Sequence, residues 1–296
     1  MLSVWCSLLG SAVCLAADGP LQIGDSLIER NGVSMALHIP ATLEGAHGPS
    51  GVLVFIGGSG DSNVGYQRSL GKVADALEIA LVVPQMPWFR DGTNIPVPTI
   101  FKGLDSVVDQ IEKQFSLKPG WIFVGGASAG GKSATDLAAK WSSNTQLLLL
   151  ASTGPFSDVR RSRTLHVVAE NEMDRLGPRG RRGSVLGKGK VDLFAIPGGQ
   201  HSAQIKHLTV WLETEISILR MEESSATLRQ AEDALRAGKG DEARAILRST
   251  REAVTILGTP TAESDEFFQY ETQRRKELLE KYSATIRSLE AVEAKL

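Results

Sequence analysis

Between residues 52 and 196 the chain alternates short apolar runs with helix-spaced stretches, and this alternation narrows the fold more than any other feature. Val52-Leu53-Val54-Phe55-Ile56 is continuous and bounded by glycines. Ala80-Leu81-Val82-Val83 precedes Pro84, and Trp121-Ile122-Phe123-Val124, Leu147 to Leu150, Leu165 to Ala169 and Val191 to Ile196 follow. Runs of this length suit strands buried on both faces. Between them Tyr66, Leu70, Val73, Ala74 and Leu77 recur at helical spacing, as do Leu104, Val107, Val108, Ile111 and Phe115, the latter closed by Lys118-Pro119-Gly120. Upstream, Gly32 to Ile39 alternates as a half-buried strand does. The pattern predicts an α/β protein, a mainly parallel twisted sheet with helices on both faces, with its ligand crevice at the carboxyl ends of the strands.

Residues Gly126 to Ser133, G-A-S-A-G-G-K-S, sit between one such strand and the helix expected from Ala129 to Trp141, and they satisfy two catalytic patterns. As G-x-S-x-G, the octet puts Ser128 on a tight turn as a nucleophile. As G-x-x-x-x-G-K-S, it wraps phosphates with backbone amides and reaches them with Lys132, while Ser133 serves Mg²⁺. A nucleotide hydrolase also needs a second strand ending in an acid. The next run leads into Ala151-Ser152-Thr153-Gly154, with no carboxylate. A serine hydrolase needs an acid and then a histidine beyond later strands. Glu170, Glu172 and Asp174 follow the strand ending at Ala169, and His201 follows Ile196 in the turn Pro197-Gly198-Gly199-Gln200.

In these motifs, over roughly residues 21 to 218, the chain resembles the α/β-hydrolase family, specifically its small esterases and the relatives of dienelactone hydrolases and polyester depolymerases. The resemblance implies a triad of Ser128, Asp174 and His201. Asp174 is favoured over Glu172 and Glu170 because the family's acid often lies four residues before a proline, here Pro178. Chemically, His201 takes the proton of a weakly nucleophilic hydroxyl while the acid fixes its tautomer. Backbone donors for the oxyanion are expected at Ala129 and in Gly57-Gly58-Ser59-Gly60, at Gly58 or Ser59. The family often places a histidine before those glycines, and this chain has Ile56. The blander readings are a structural turn at Ser128, a surface acid at Asp174 and a solvated turn residue at His201. His166 reads as a packed core residue, and His38, His47 and His207 have no motif around them. Trp88 and Phe89 read either as pocket walls or as loop anchors. The basic stretch Arg175, Arg179, Arg181, Arg182, Lys188 and Lys190 reads as a solvated loop or as a lure for an anionic substrate.

Ser152 to Thr164 is too short for the helical lid that many family members insert at that place, so the site is expected to be shallow and open to a small-molecule or polymeric ester. No cofactor and no metal are expected. An amide-cleaving hydrolase, a nucleotide-binding protein using Lys132 and Ser133, and a non-catalytic scaffold acting through its C-terminal helices are the rival readings.

With 34 acidic against 32 basic residues and a formal charge of -2, no global field draws the chain to nucleic acid or an anionic membrane. Residues 1–17 are uncharged and largely apolar, end in small residues and give way to Asp18-Gly19-Pro20. They read as a secretory signal peptide, which implies a secreted or periplasmic protein. The alternatives are a short membrane anchor and a lipid-modified Cys14. Cys6 and Cys14 both fall in this segment, so the mature chain would hold no disulfide and no thiolate site.

A catalytic domain is expected over residues 18–218 and a small all-α extension over 219–296. Leu228 to Leu247 resembles one helix-turn-helix of a tetratricopeptide repeat, which needs a neighbour to bury its face. Leu279, Tyr282, Ile286, Leu289 and Leu296 suit a short coiled coil or a helix docked on that hairpin. These helices are expected to dimerise, to recognise a partner protein, or to cover an apolar face of the catalytic domain.

Overall fold

The computed structural model describes residues 14–15, 19–44, 51–117, 121–141, 145–152, 163–170, 172, 191–196, 198–261 and 266–296. The strands are β1 (Cys14–Leu15), β2 (Gly24–Arg30), β3 (Val33–Ile39), β4 (Val52–Ile56), β5 (Ala80–Pro84), β6 (Ile122–Ala127), β7 (Thr145–Ala151), β8 (Arg163–Ala169) and β9 (Val191–Ile196). They form one sheet in the order β1-β2-β3-β5-β4-β6-β7-β8-β9. Among the described residues only the β2–β3 and β3–β5 pairings are antiparallel. Every residue of β4, β5 and β6 is buried, because helices cover both faces of the centre of the sheet. Strand β2 was not expected from the sequence. Its GDSLIER run buries only alternate residues, and two of its exposed positions are charged.

Helix α1 (Asn63–Leu77) joins β4 to β5, α2 (Val97–Gln114) crosses back to β6, and α3 (Ala129–Lys140) joins β6 to β7. Ser62 starts α1 by accepting a hydrogen bond from the Gly65 amide at 3.0 Å. From β4 the chain steps to β5 on one side, whereas from β6 it steps to β7 on the other. The loops leaving β4 and β6 therefore diverge, and a crevice opens between the ends of these neighbouring strands. Residues Gly57 to Asp61 and Ser128 occupy it.

On the β2–β3 side, His38 lies between Asp25 at 2.7 Å and Asp75 of α1 at 2.8 Å. Burial opposes its protonation, but the two carboxylates outweigh burial and raise its pKa above the ordinary 6.5. A histidine that holds its proton more tightly when folded stabilises the fold fully below its unfolded pKa, and that contribution fades as pH rises through the folded value. Between about pH 6 and pH 8 the wild type is therefore expected to lose stability relative to His38→Gln. Both aspartates are more than half exposed, so the loss stays within about 1 kcal/mol. Parallel thermal melts check this, and a pH-independent difference would show that His38 does not titrate with folding.

The remaining helices are α4 (Ile205–Arg236), α5 (Gly240–Gly258), α6 (Glu266–Lys281) and α7 (Ser283–Glu293). Helix α4 runs unbroken through residue 218, where a domain boundary was expected. Its first half sends Leu208, Trp211, Leu212 and Ile216 into the main core. Its second half sends Leu228, Ala231 and Ala234 against Ala243, Ile246 and Leu247 of α5 and Leu289 and Val292 of α7. The helix thus changes what it packs against part-way along its length. Gly238, at φ +74°, ends α4: its amide bonds to Leu235 and that of Lys239 to Ala234, both at 2.9 Å. The expected hairpin therefore forms, and α7 supplies the neighbour it needs.

Buried charge ties this unit to the sheet domain. The Arg220 side chain is fully buried, donates to the Leu77 carbonyl at the end of α1 at 2.7 Å, and lies 3.3 Å from Glu252. Arg248 reaches Glu78 at 2.9 Å. Burial, then the nearby Glu78, raises the pKa of Glu252. Removing one partner of such a set is costly, since the other charges stay buried and uncompensated.

Candidate active site

Strand β6 continues through Gly125, Gly126 and Ala127, and α3 starts at Ala129, so a single residue makes the turn. That residue, Ser128, takes φ +49° and ψ -118°, a conformation side chains rarely adopt. Two glycines permit the turn. A Cβ on Gly130 would come 2.0 Å from the Ile56 carbonyl oxygen, and one on Gly126 would come 2.6 Å from the Ala134 Cβ. The Ser128 amide bonds to the Ala151 carbonyl at 2.9 Å, which fixes the elbow to β7.

A phosphate loop needs several residues free of strand and helix so that successive amides can turn toward one anion. Here the octet is strand up to Ala127 and helix from Ala129. Lys132 is 81 % exposed and paired with Asp136 one turn along α3 at 2.5 Å, and Ser133 is buried in that helix. The nucleotide-binding alternative is overturned by this geometry.

His201 Nε2 lies 2.7 Å from Ser128 Oγ, across 73 residues of sequence. The other ring nitrogen, Nδ1, is hydrogen-bonded to Glu172 Oε1. Glu172 is buried, while half of the His201 side chain is exposed. Asp174, the favoured acid, lies outside the described residues, as do the basic positions from Arg175 to Lys190. Glu170 is exposed at the end of β8. The turn carrying His201 is braced locally: Gly198 takes φ +62°, the Gly199 amide bonds to Ile196, and the Ser202 amide reaches Ser152 Oγ at 3.3 Å.

Ala129 stands at the first position of α3, where an amide has no acceptor within its own helix. Facing it, Gly58 is close enough that a Cβ there would sit 3.2 Å from that of Ser128. The Gly58 amide donates to Tyr66 Oη at 3.3 Å, and Tyr66 in turn donates to Asp61 at 2.6 Å. Burial, then the Asp61 bond, pushes the Tyr66 phenol well above its usual range, so it stays protonated. Ser59 is exposed beside it. Neither Tyr66 nor Asp61 was singled out from sequence, because Tyr66 falls on the apolar face of α1 and its hydroxyl's target is invisible there. Trp88 and Phe89 are loop anchors: Trp88 donates to the Gly57 carbonyl at 3.0 Å, and Phe89 is buried.

No known family model matches the chain, and no curated protein matches its sequence. Solved structures do match. A hyperthermophilic esterase from the archaeon Pyrobaculum calidifontis aligns with a TM-score of 0.50 at 14% identity, over 68% of this chain and 85% of its own. The fold is that of the α/β hydrolases. An S-formylglutathione hydrolase from Agrobacterium tumefaciens gives 0.49 at 14% identity over 65% and 92% of the two chains. A Xanthomonas campestris protein described as an α/β serine hydrolase without lid gives 0.48 at 16% over 67% and 96%.

Onto this α/β-hydrolase fold the C-terminal helices add a support for the histidine. Phe194, near the end of β9, meets Phe267 of α6 edge-on at 4.9 Å and Tyr270 at 5.1 Å. His207, early in α4, lies 5.1 Å from Phe267 and 4.9 Å from Phe268. Both flanks of the segment carrying His201 thus rest on one helix. The double substitution Phe267→Ala, Phe268→Ala is expected to cost at least about 3 kcal/mol of stability. It should also lower kcat per folded molecule by about 100-fold, since a displacement near 1 Å at a reacting group costs that much. Denaturant melts and kinetics on the folded fraction check both, and an unchanged kcat would leave α6 a purely structural role.

Proposed function

We propose that the chain is a serine hydrolase that cleaves carboxylic esters through an acyl-enzyme on Ser128. The observation that carries this reading is the 2.7 Å approach of His201 Nε2 to a serine held at φ +49° on a strand-to-helix elbow. The Ser128 hydroxyl donates its proton to Nε2 as its oxygen attacks the ester carbonyl, and the imidazolium then returns the proton to the departing alcohol. Glu172 accepts from Nδ1–H, holds the tautomer and stabilises the imidazolium. The amides of Ala129 and of Gly58 or Ser59 stabilise the tetrahedral oxyanion, each worth about 3 kcal/mol in the transition state. If Gly58 serves, its amide turns from the Tyr66 oxygen to the substrate. Water repeats the sequence to release the acid.

A fluorophosphonate probe and a panel of 4-nitrophenyl esters test the reading. Covalent labelling at Ser128 with ester turnover is expected. A natively folded protein that neither labels nor turns over any ester would leave the scaffold role instead. The same reading includes export with removal of residues 1–17, for which a mature N-terminus near Asp18 on the secreted protein is the check.

A further inference from the structure

We infer that the ester is a short acyl group on a carbohydrate, bound through its hydroxyls in the cleft beside Ser128. This rests on the acyl-enzyme reading and narrows its substrate class. The cleft, about 820 Å³, runs from Ser128 and His201 over the β4–α1 loop. Its size lies within the range of about 300–1,000 Å³ found for small-molecule sites, which are mostly lined by apolar and aromatic side chains. Among the described residues none of its lining is Val, Leu, Ile, Met, Phe or Trp. Asp61, Ser62, Tyr66, Ser69, Arg90 and Asp91 line it instead, together with glycines, serines and the small apolar side chains of Ala127 and Ala203.

A long methylene chain finds no large apolar side chain to pack against among the described lining residues, so it gains little there. A sugar hydroxyl both donates and accepts. The carboxylates of Asp61 and Asp91 accept from it, and the guanidinium of Arg90 donates to it. Trp88 is tied to the loop by donating to the Gly57 carbonyl, and Tyr66 brings the polar edge of its ring to the cleft while its face packs on Phe55 at 4.9 Å.

The full-length protein is assayed on a monoacetylated methyl glucoside, ethyl acetate, glyceryl triacetate, 4-nitrophenyl acetate and 4-nitrophenyl octanoate. Expected are a kcat/KM for the glucoside ester at least about tenfold above ethyl acetate, and no gain from acetyl to octanoyl. Asp91→Asn is expected to lower the ratio of glucoside-ester to 4-nitrophenyl acetate turnover about tenfold, the scale of one lost hydrogen bond to a charged group. Preference for octanoyl, a glucoside ester no better than ethyl acetate, or glyceryl triacetate outrunning the glucoside would each overturn the carbohydrate assignment. Fluorophosphonate labelling keeps the two readings apart: labelled protein with those results loses only the substrate class, whereas protein that fails to label loses the acyl-enzyme as well.

Discussion

Ser128→Ala is expected to lower kcat/KM for every ester the protein cleaves by roughly 10⁴- to 10⁶-fold and to abolish fluorophosphonate labelling, with little change in thermal stability. The size follows from what is lost. Without the hydroxyl no acyl-enzyme forms, and only the backbone donors and substrate binding remain to assist attack by water. His201→Ala should fall almost as far, since the nucleophile and its base act as one unit, and the double variant should be little worse than either alone. Stability is expected to hold or rise slightly in Ser128→Ala, because the φ +49° strain at this residue comes from the elbow and not from the hydroxyl. A residual rate within tenfold of wild type would remove Ser128 from the chemistry.

Glu172→Gln is expected to lower kcat by about 10³- to 10⁴-fold, the loss seen when an orienting carboxylate becomes an amide that can leave the imidazole in the wrong tautomer. An amide is nearly the shape of a carboxylate, so the buried position stays filled and the fold should persist. Asp174→Asn provides the contrast and is expected to change kcat by no more than about threefold. Steady-state kinetics of the two variants on one 4-nitrophenyl ester decide the assignment. The opposite ranking would return the acid to Asp174.

The choice among these acids shows where sequence reading stops. Glu170, Glu172 and Asp174 lie within five positions of sequence, and spacing to Pro178 was the signal that favoured Asp174. The hydrogen bond to His201 Nδ1 spans 29 residues and depends on how β8, β9 and the two loops beyond them meet, which no local pattern encodes. Ser128 and His201 were legible because each sits just past an apolar run with its own glycine punctuation. The second phosphate-loop match around Lys132 was also legible and was misleading. The pattern records residue types, whereas the chemistry depends on whether the glycines continue the strand or leave it.

Local periodicity and punctuation were enough to establish the alternation of strands and helices, the elbow serine, the later histidine and the C-terminal hairpin, because each is written in neighbouring residues through the 2.0 and 3.6 repeats and the demands of tight turns. Tertiary structure alone decided that Glu172 meets His201, that Tyr66 bridges Gly58 and Asp61, that one helix crosses the expected domain boundary, and that α6 supports both flanks of the histidine segment. These are matters of distance between residues far apart in the chain. They exist only once the core has closed and set the strands in order.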